Sequence, residues 1–386
     1  MKILIVHSTL NSAGGGERVA LHTIKLLQEL GHEVHLACVE KTNWEYVQNV
    51  IGIKLREIPR EYHLFPISIK MFGIYQRALT SFHVMRLRRK FDLIINTHGD
   101  ALAVPADVTY LHFPLLAYVK MRVLGKYFKY YKSIFWRLYF EPYKMFQFAF
   151  AERSYRNSVI LTNSRYSRYF AKKLFDINAI IVYPPVEIRD YLEYCGRSTD
   201  REDAVIYIAR FSPEKCHHYL IYVAKELPHI KFYLVGAAHG KGLSYYQQCL
   251  KLKEKLNVKN VEILANVPHF EKLRLLAKCK VYVHLYVTEH FGIAPVEALA
   301  SGCILVVPTN SGTWTDVCDF GKYGIGFRKL DPKEISLKIC EALEKWSVGF
   351  LQEAARYVRR FSVEEFYRRM QKIVEIFENV REGSTM

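Results

Sequence analysis

What most restricts the fold of this chain is a rhythm that occurs twice. Apolar runs of strand length alternate with segments whose apolar residues recur at helical spacing. Lys2–Val6 reads as a strand. Glu17–Leu30 reads as a helix, with Ala20, Ile24 and Leu27 on one face and Gly31 as its C-terminal cap. Glu33–Val39, Leu93–Asn96, Val108–His112 and Ser158–Thr162 are further strands of this first series. A second series runs through Ala204–Ala209, Lys231–Val235, Val261–Leu264, Val281–Val287 and Cys303–Val307, with His218–Glu226 and Phe270–Ala277 among its helices. The alternation predicts α/β architecture, with parallel, doubly wound sheets covered by helices on both faces.

Between the series, Glu187–Asp203 is rich in charge and poor in strand formers. The expected organisation is therefore a Rossmann-like domain over residues 1–187, a linker over 188–203 and a second Rossmann-like domain over 204–362. A C-terminal helix within 363–386 is expected to pack back on the first domain. A length of 386 residues suits two domains of roughly 100–200 residues each. Ligands of open α/β sheets sit beyond the carboxyl ends of the strands, so two such sheets facing each other would hold a ligand in the cleft between them.

Charge narrows the partners. Lys and Arg total 55 against 38 Asp and Glu, a net +17 that favours nucleic acid, an anionic membrane or a phosphorylated substrate. The eight cysteines form no C-x-x-C pair and read as buried, reduced thiols. The apolar run at Met1–Val6 is too short for a signal peptide. No stretch reaches the roughly 18 apolar residues of a spanning helix, so the chain is expected to lie on a membrane at most.

The most informative motif is T-E-H-F-G-I-A-P-V-E-A-L-A-S-G, Thr288 to Gly302, directly after the strand ending at Val287. Gly292 permits a tight turn, and Pro295 suits a first helical turn, where its missing N–H costs nothing. Glu289 is thereby expected on a loop and Glu297 in the opening of a helix. Carboxylates there accept hydrogen bonds from sugar or ribose hydroxyls, while the free N–H groups of the helix start suit phosphate oxygens. The motif resembles the E-x7-E signature of the retaining GT-B glycosyltransferases of family 4. That resemblance implies two facing Rossmann-like domains and a nucleotide-sugar donor. It implies that Glu289 contacts the donor sugar, that Glu297 holds the ribose, and that His290, Phe291 and Gly292 complete the turn.

Other segments agree with it. In Ala209–Lys215 (A-R-F-S-P-E-K), Arg210 and Lys215 would leave a strand toward the donor, where two cations stabilise a departing diphosphate. Ser12–Arg18 (S-A-G-G-G-E-R) places Gly15 and Gly16 where the backbone can approach a donor closely. It is neither a dinucleotide fingerprint, since Val19 stands where the third glycine belongs, nor a Walker loop. The turn after Leu234–Val235–Gly236 has the place of a nucleotide contact. Tyr110–Pro114 (Y-L-H-F-P) resembles the subgroup that mannosylates lipid-linked oligosaccharides in eukaryotes and archaea, which makes His112 a candidate contact for donor sugar or acceptor. Asn96, His98, Gly99 and Asp100 end another strand and are candidates for the acceptor side.

Leu115–Phe150 interrupts the rhythm. It carries Lys120, Arg122, Lys126, Lys129, Lys132, Arg137 and Lys144 against Glu141, with Phe128, Tyr131, Phe135 and Leu138 at helical spacing. This composition fits an anionic membrane interface, or aromatics in the domain's own core beneath solvated lysines.

The reading is a retaining hexosyltransferase that moves a hexose, mannose being favoured, from a GDP- or UDP-linked sugar to a glycan or polyprenyl-linked acceptor. It is expected to be cytoplasmic and peripheral on the inner membrane face, with no resident cofactor and no nucleic-acid partner. No D-x-D stands at a strand end, so metal-independent electrostatic catalysis by Arg210 and Lys215 is expected. A soluble saccharide acceptor is the alternative within this class. An NAD-dependent oxidoreductase, supported by Glu40, and a nucleic-acid binder, supported by charge, leave the Thr288–Gly302 motif without a role.

Overall fold

The computed structural model describes residues 1–67, 73–99, 104–114, 133–194 and 199–384. The chain divides into two compact units, Met1–Pro185 with Val363–Met386, and Val186–Ser362.

In the first unit the described strands are β1 (Lys2–Val6), β2 (Glu33–Glu40), β3 (Arg60–Phe65), β4 (Leu93–Asn96), β5 (Val108–Leu111), β6 (Val159–Thr162) and β7 (Ile180–Ile181). They pair in parallel in the order β3-β2-β1-β4-β5-β6-β7. Ile3 to Val6 are fully buried, as a central strand covered on both faces requires. The helices are α1 (Gly15–Glu29), α2 (Trp44–Ile51), α3 (Gly73–Leu87), α4 (Ile134–Arg156) and α5 (Arg165–Phe175). β3 escapes the sequence reading because it is a half-exposed edge strand, R-E-Y-H-L-F, whose polar residues break the apolar run.

In the second unit α6 (Arg189–Tyr194) precedes β8 (Glu202–Ile208), α7 (His217–Glu226), β9 (Lys231–Gly236), α8 (Lys241–Lys255), β10 (Val261–Ala265) and α9 (His269–Lys278). Then follow β11 (Cys279–Val283), α10 (Ile293–Ala300), β12 (Ile304–Pro308), β13 (Gly324–Phe327), α11 (Pro332–Lys345) and α12 (Val348–Tyr357). The sheet order is β10-β9-β8-β11-β12-β13, again parallel throughout. Two expectations need correction. The segment expected as a linker over 188–203 contributes α6, whose Tyr191 is buried and which packs on α9 and α10 inside this unit. The strand expected over Val281–Val287 stays in register only to Tyr282 with β8 and to Val283 with β12. Its last four residues begin the loop that carries the E-x7-E motif.

The chain returns to the first unit through α13 (Val363–Ser384). Phe366, Met370, Ile373 and Val374 of its apolar stripe join the core around β1 and α1. Tyr367 meets His22 of α1 at 3.1 Å, and Arg369 donates to the Ile181 carbonyl at 3.0 Å. Burying Phe366 removes a large apolar area from water, so its truncation costs the transfer energy and leaves a cavity. Phe366→Ala is expected to destabilise the first unit by about 3–5 kcal/mol. Ile376→Ala, on the exposed face of the same helix, is expected to change it by under about 0.5 kcal/mol. Urea unfolding followed by circular dichroism checks both.

Candidate active site

Both sheets reverse their winding beside the first strand of each series, between β1 and β4 and between β8 and β11. At such a switch point neighbouring exit loops diverge to opposite faces and leave a crevice. The residues singled out in the sequence cluster at these two places.

In the second unit the chain leaves β8 as Ala209–Arg210–Phe211 and makes a short turn over Pro213–Lys215. Phe211 is buried and stacks on His217 with ring centroids 4.3 Å apart, which pins the loop from below. Burial pushes His217 down to about 3, so its ring packs as a neutral group. The buried Tyr207 hydroxyl donates to the Lys215 carbonyl at 2.6 Å and fixes the far end of the turn. Gly236 lies where an added Cβ would stand 1.8 Å from the Ala209 carbonyl oxygen. The β9 exit can therefore press against the Arg210 loop only without a side chain. Arg210 itself is exposed on that loop.

The neighbouring strand β11 delivers Glu289. Lys215 Nζ lies 3.5 Å from Glu289 Oε2 and 3.8 Å from the centre of the Tyr286 ring. His284, just past the end of β11 and 3% exposed, brings Nε2 to 3.3 Å from the same carboxylate oxygen. Burial pushes the Glu289 carboxyl up. The adjoining His284 imidazole and the charges of Lys215 and His290 overcome that, and the group settles at about 2. It is a carboxylate, an acceptor only, throughout the range in which the protein would work.

The loop between Glu289 and α10 is held by a segment that sequence reasoning missed. Gly312 N–H donates to the Glu289 carbonyl at 2.8 Å, and Thr313 Oγ1 donates to the Phe291 carbonyl at 2.9 Å. Gly292 turns at φ +98°, where L side chains are strained. Phe291, expected among the donor-binding residues, has a side chain that is 3% exposed and packs edge-on against Phe361 at 5.4 Å, so its ring anchors the loop. His290 stays half-buried beside the carboxylate that it helps to hold ionised. Glu297 lies one turn inside α10, half-buried, with Lys272 Nζ of α9 at 3.2 Å from its Oε2. Lys272 stands 25 residues away, beyond any local motif.

In the first unit the loop after β1 becomes α1 at Gly15, with Gly14 as its N-cap. Glu17 accepts from Gly14 N–H at 2.8 Å and from Ser12 Oγ at 2.5 Å, and His7 Nε2 lies 3.7 Å from it. Burial pushes Glu17 up, but His7 and Ser12 together hold it well below the usual carboxylate range. His7 Nδ1 meets Thr97 Oγ1 at 2.9 Å and Ser8 Oγ meets His98 Nδ1 at 2.7 Å, which ties the β1 exit to the β4 exit. His112 Nε2 donates to the Thr97 carbonyl at 3.0 Å. An added Cβ on Gly16 would stand 3.3 Å from that nitrogen, so Gly16 lets the start of α1 come close to His112. Gly15 is exposed at the helix start. His7 and Glu17 went unread because their role needs the fold to bring β1, α1 and β4 together. Asp100 lies outside the described residues.

The fold and the charge arrangement in the second unit define a glycosyltransferase of the GT-B type. Residues 196–360 match the family described as Glycosyl transferases group 1, and residues 13–189 match Glycosyltransferase Family 4. The chain belongs to the GT-B glycosyltransferases of family 4, enzymes that use nucleotide-sugar donors. It is 23% identical over 420 residues to the GDP-Man:Man(3)GlcNAc(2)-PP-Dol alpha-1,2-mannosyltransferase of Homo sapiens, covering 95% of this chain and 85% of that one. Among solved structures it resembles Anabaena HepE in complex with UDP and glucose, at 16% identity and a TM-score of 0.66, covering 97% and 99% of the two chains. It also resembles sucrose-phosphate synthase from Thermosynechococcus elongatus, at 13% identity and a TM-score of 0.71, covering 98% and 100%.

An added Cβ on Gly312 would stand 1.7 Å from the His290 carbonyl oxygen. Gly312→Ala is therefore expected to force the Glu289–Gly292 loop away. The cost should reach about 2 kcal/mol, a fall in Tm of roughly 4–8 °C by scanning calorimetry.

Proposed function

We propose that this glycosyltransferase moves mannose from GDP-mannose to a lipid-linked glycan, with retention at the anomeric carbon and without a catalytic metal. The observation that carries the reading is the Lys215–Glu289 pair at the switch point between β8 and β11. An ammonium there is placed for a diphosphate, and a carboxylate is placed for sugar hydroxyls. The human relative, named for GDP-mannose and a dolichol-linked acceptor, supports the choice of sugar and acceptor class.

The incoming hydroxyl oxygen bonds to C1 on the face that the phosphate leaves. The C1–O bond to the phosphate breaks, and the hydroxyl proton passes to the departing phosphate oxygen. Lys215, Arg210 and the N–H groups at the start of α10 take up the charge that develops there. Glu289 orients the sugar, Glu297 accepts from the ribose, and Gly236 and His290 border the nucleotide. Gly15, Gly16 and His112 contribute the contacts of the first unit to donor or acceptor. Glu289→Gln and Lys215→Ala are each expected to lower turnover of GDP-mannose at least about a hundredfold. GDP should raise the Tm of the wild-type protein and NAD should not. Full turnover in both variants would defeat the assignment.

The acceptor class brings in a membrane. Among the described residues no helix is long and apolar enough to cross one. α4 nevertheless exposes Ile134, Phe135, Leu138 and Met145, and α3 beside it exposes Leu79, Phe82 and Met85. Arg86, Arg89, Lys90, Arg137, Arg153 and Arg156 are exposed on the same helices and the turn after α3. Apolar side chains among cations suit the interface of an anionic bilayer. Phe140 and Tyr155 of α4 pack inward, so the segment divides its aromatics between core and surface. Lys120, Arg122, Lys126, Phe128, Lys129, Tyr131 and Lys132 lie outside the described residues. The protein is thus proposed to act as a peripheral enzyme on the cytoplasmic face. It should co-sediment with phosphatidylglycerol vesicles, and Phe135→Glu with Leu138→Glu should reduce that binding at least about tenfold while leaving donor hydrolysis in solution unchanged.

A further inference from the structure

The feature of the second unit that this reading leaves unused is His284. It is buried at the end of β11, its ring lies parallel to that of Tyr282 at 6.4 Å and edge-on to Tyr207 at 6.3 Å. Nε2 faces Glu289 Oε2 from 3.3 Å, and Nδ1 has no hydrogen-bond partner among the described residues. A buried imidazole nitrogen facing a buried carboxylate helps to keep that carboxylate charged.

Lys215 supplies the reason. Its ammonium lies on the same Oε2 and over the Tyr286 ring. A diphosphate is the stronger partner for that ammonium. Once Lys215 turns to it, the imidazoles of His284 and His290 are what remains beside the Glu289 carboxylate, against burial that favours its neutral form. Tyr207 and Tyr282, also in its field, are pushed well above their ordinary values by burial and offer it no charge. We infer that His284 is a positioning residue that holds the Glu289 carboxylate in place when Lys215 leaves it for the donor's diphosphate. The inference rests on the proposed roles of Glu289 and Lys215.

A handover of this kind acts in the donor complex more than in the free enzyme, because Lys215 still serves Glu289 before the donor arrives. The test is the pH dependence of GDP-mannose turnover in the full-length wild type and His284→Phe, which keeps a ring for Tyr282 to pack on. The acid limb of kcat reports groups in the donor complex, and that of kcat/KM reports the free enzyme. In His284→Phe the acid limb of kcat should move up by about one pH unit or more, with a smaller move in kcat/KM. His284→Gln, which keeps a side-chain N–H toward Oε2, should recover a large part of the neutral-pH kcat. A rise in Tm with GDP shows that each variant is folded. Should His284→Phe fail that control, His284→Gln carries the test, with an upward move of its kcat limb expected.

An unshifted kcat limb in the folded variant overturns the inference, as does an equal shift in kcat and kcat/KM. Loss of turnover in Glu289→Gln beside unchanged profiles in His284→Phe would sink the handover and leave the donor site standing. Undiminished turnover in Glu289→Gln would instead remove the reading on which it rests.

Discussion

A parallel sheet sends the exit loop of every strand out of the same edge, and where the winding reverses two of those loops part. This constraint governs both units. In the second it brings the turn after β8 and the loop after β11 side by side, so that Lys215 and Glu289 meet although 74 positions separate them in the chain. In the first it brings Gly14–Glu17, Thr97–His98 and His112 to one edge. Polar residues gather at these edges because backbone groups there are no longer consumed by the ladder. The glycines follow from the same cause. Gly236 and Gly312 stand where one exit loop crosses another's carbonyl, leaving no room for a side chain.

The charges at the second edge are arranged against the cost of burial. An isolated carboxylate in the position of Glu289 would take up a proton. The His284 imidazole and the Lys215 ammonium on one oxygen, with His290 in the adjoining residue, reverse that preference. Holding the charge by Oε2 leaves Lys215 and His284 on one side of the carboxylate. The first unit uses the same device for a different end. Glu17 is held by His7, Ser12 and the Gly14 amide, and its charge stiffens the glycine-rich turn at the start of α1.

The architecture was legible because buried parallel strands are continuous apolar runs, and each such run in the interior of the two sheets was read from the sequence. What was missed has definite causes. β3 is polar and at an edge, β7 has two residues, and β13, G-I-G-F, carries glycine at alternate positions. Val281–Val287 reads as one strand because an apolar run does not record where its neighbours stop pairing. Val283 is the last residue in register with β12; the His284 N–H still donates to the Val306 carbonyl at 2.8 Å, and the four residues after Val283 lead into the loop that carries Glu289. That error hid His284, which looks like an ordinary strand residue until its ring is seen beside Glu289. Glu289, Glu297 and Lys215 were legible through a motif. Lys272, Gly312 and Thr313 reach the motif only through tertiary structure. Phe291 belongs to the motif yet turns inward, since a loop that must hold a carboxylate still also needs an anchor.

The same logic explains why the lysine can serve two partners. Its contact with Glu289 is 3.5 Å long and partly open to solvent, and a pair of that kind contributes little beyond about 1 kcal/mol. The Tyr286 face adds roughly as much again. An ammonium held this lightly can be taken by a ligand carrying more negative charge in a confined site. A tightly buried, bidentate pair could not be redeployed so readily, because breaking it would strand a desolvated charge. The looseness of the Lys215 contact and the burial of His284 are complementary for this reason. Lys215 is free to move to the reacting group only because the His284 imidazole, fixed in the interior, keeps the carboxylate from being left alone.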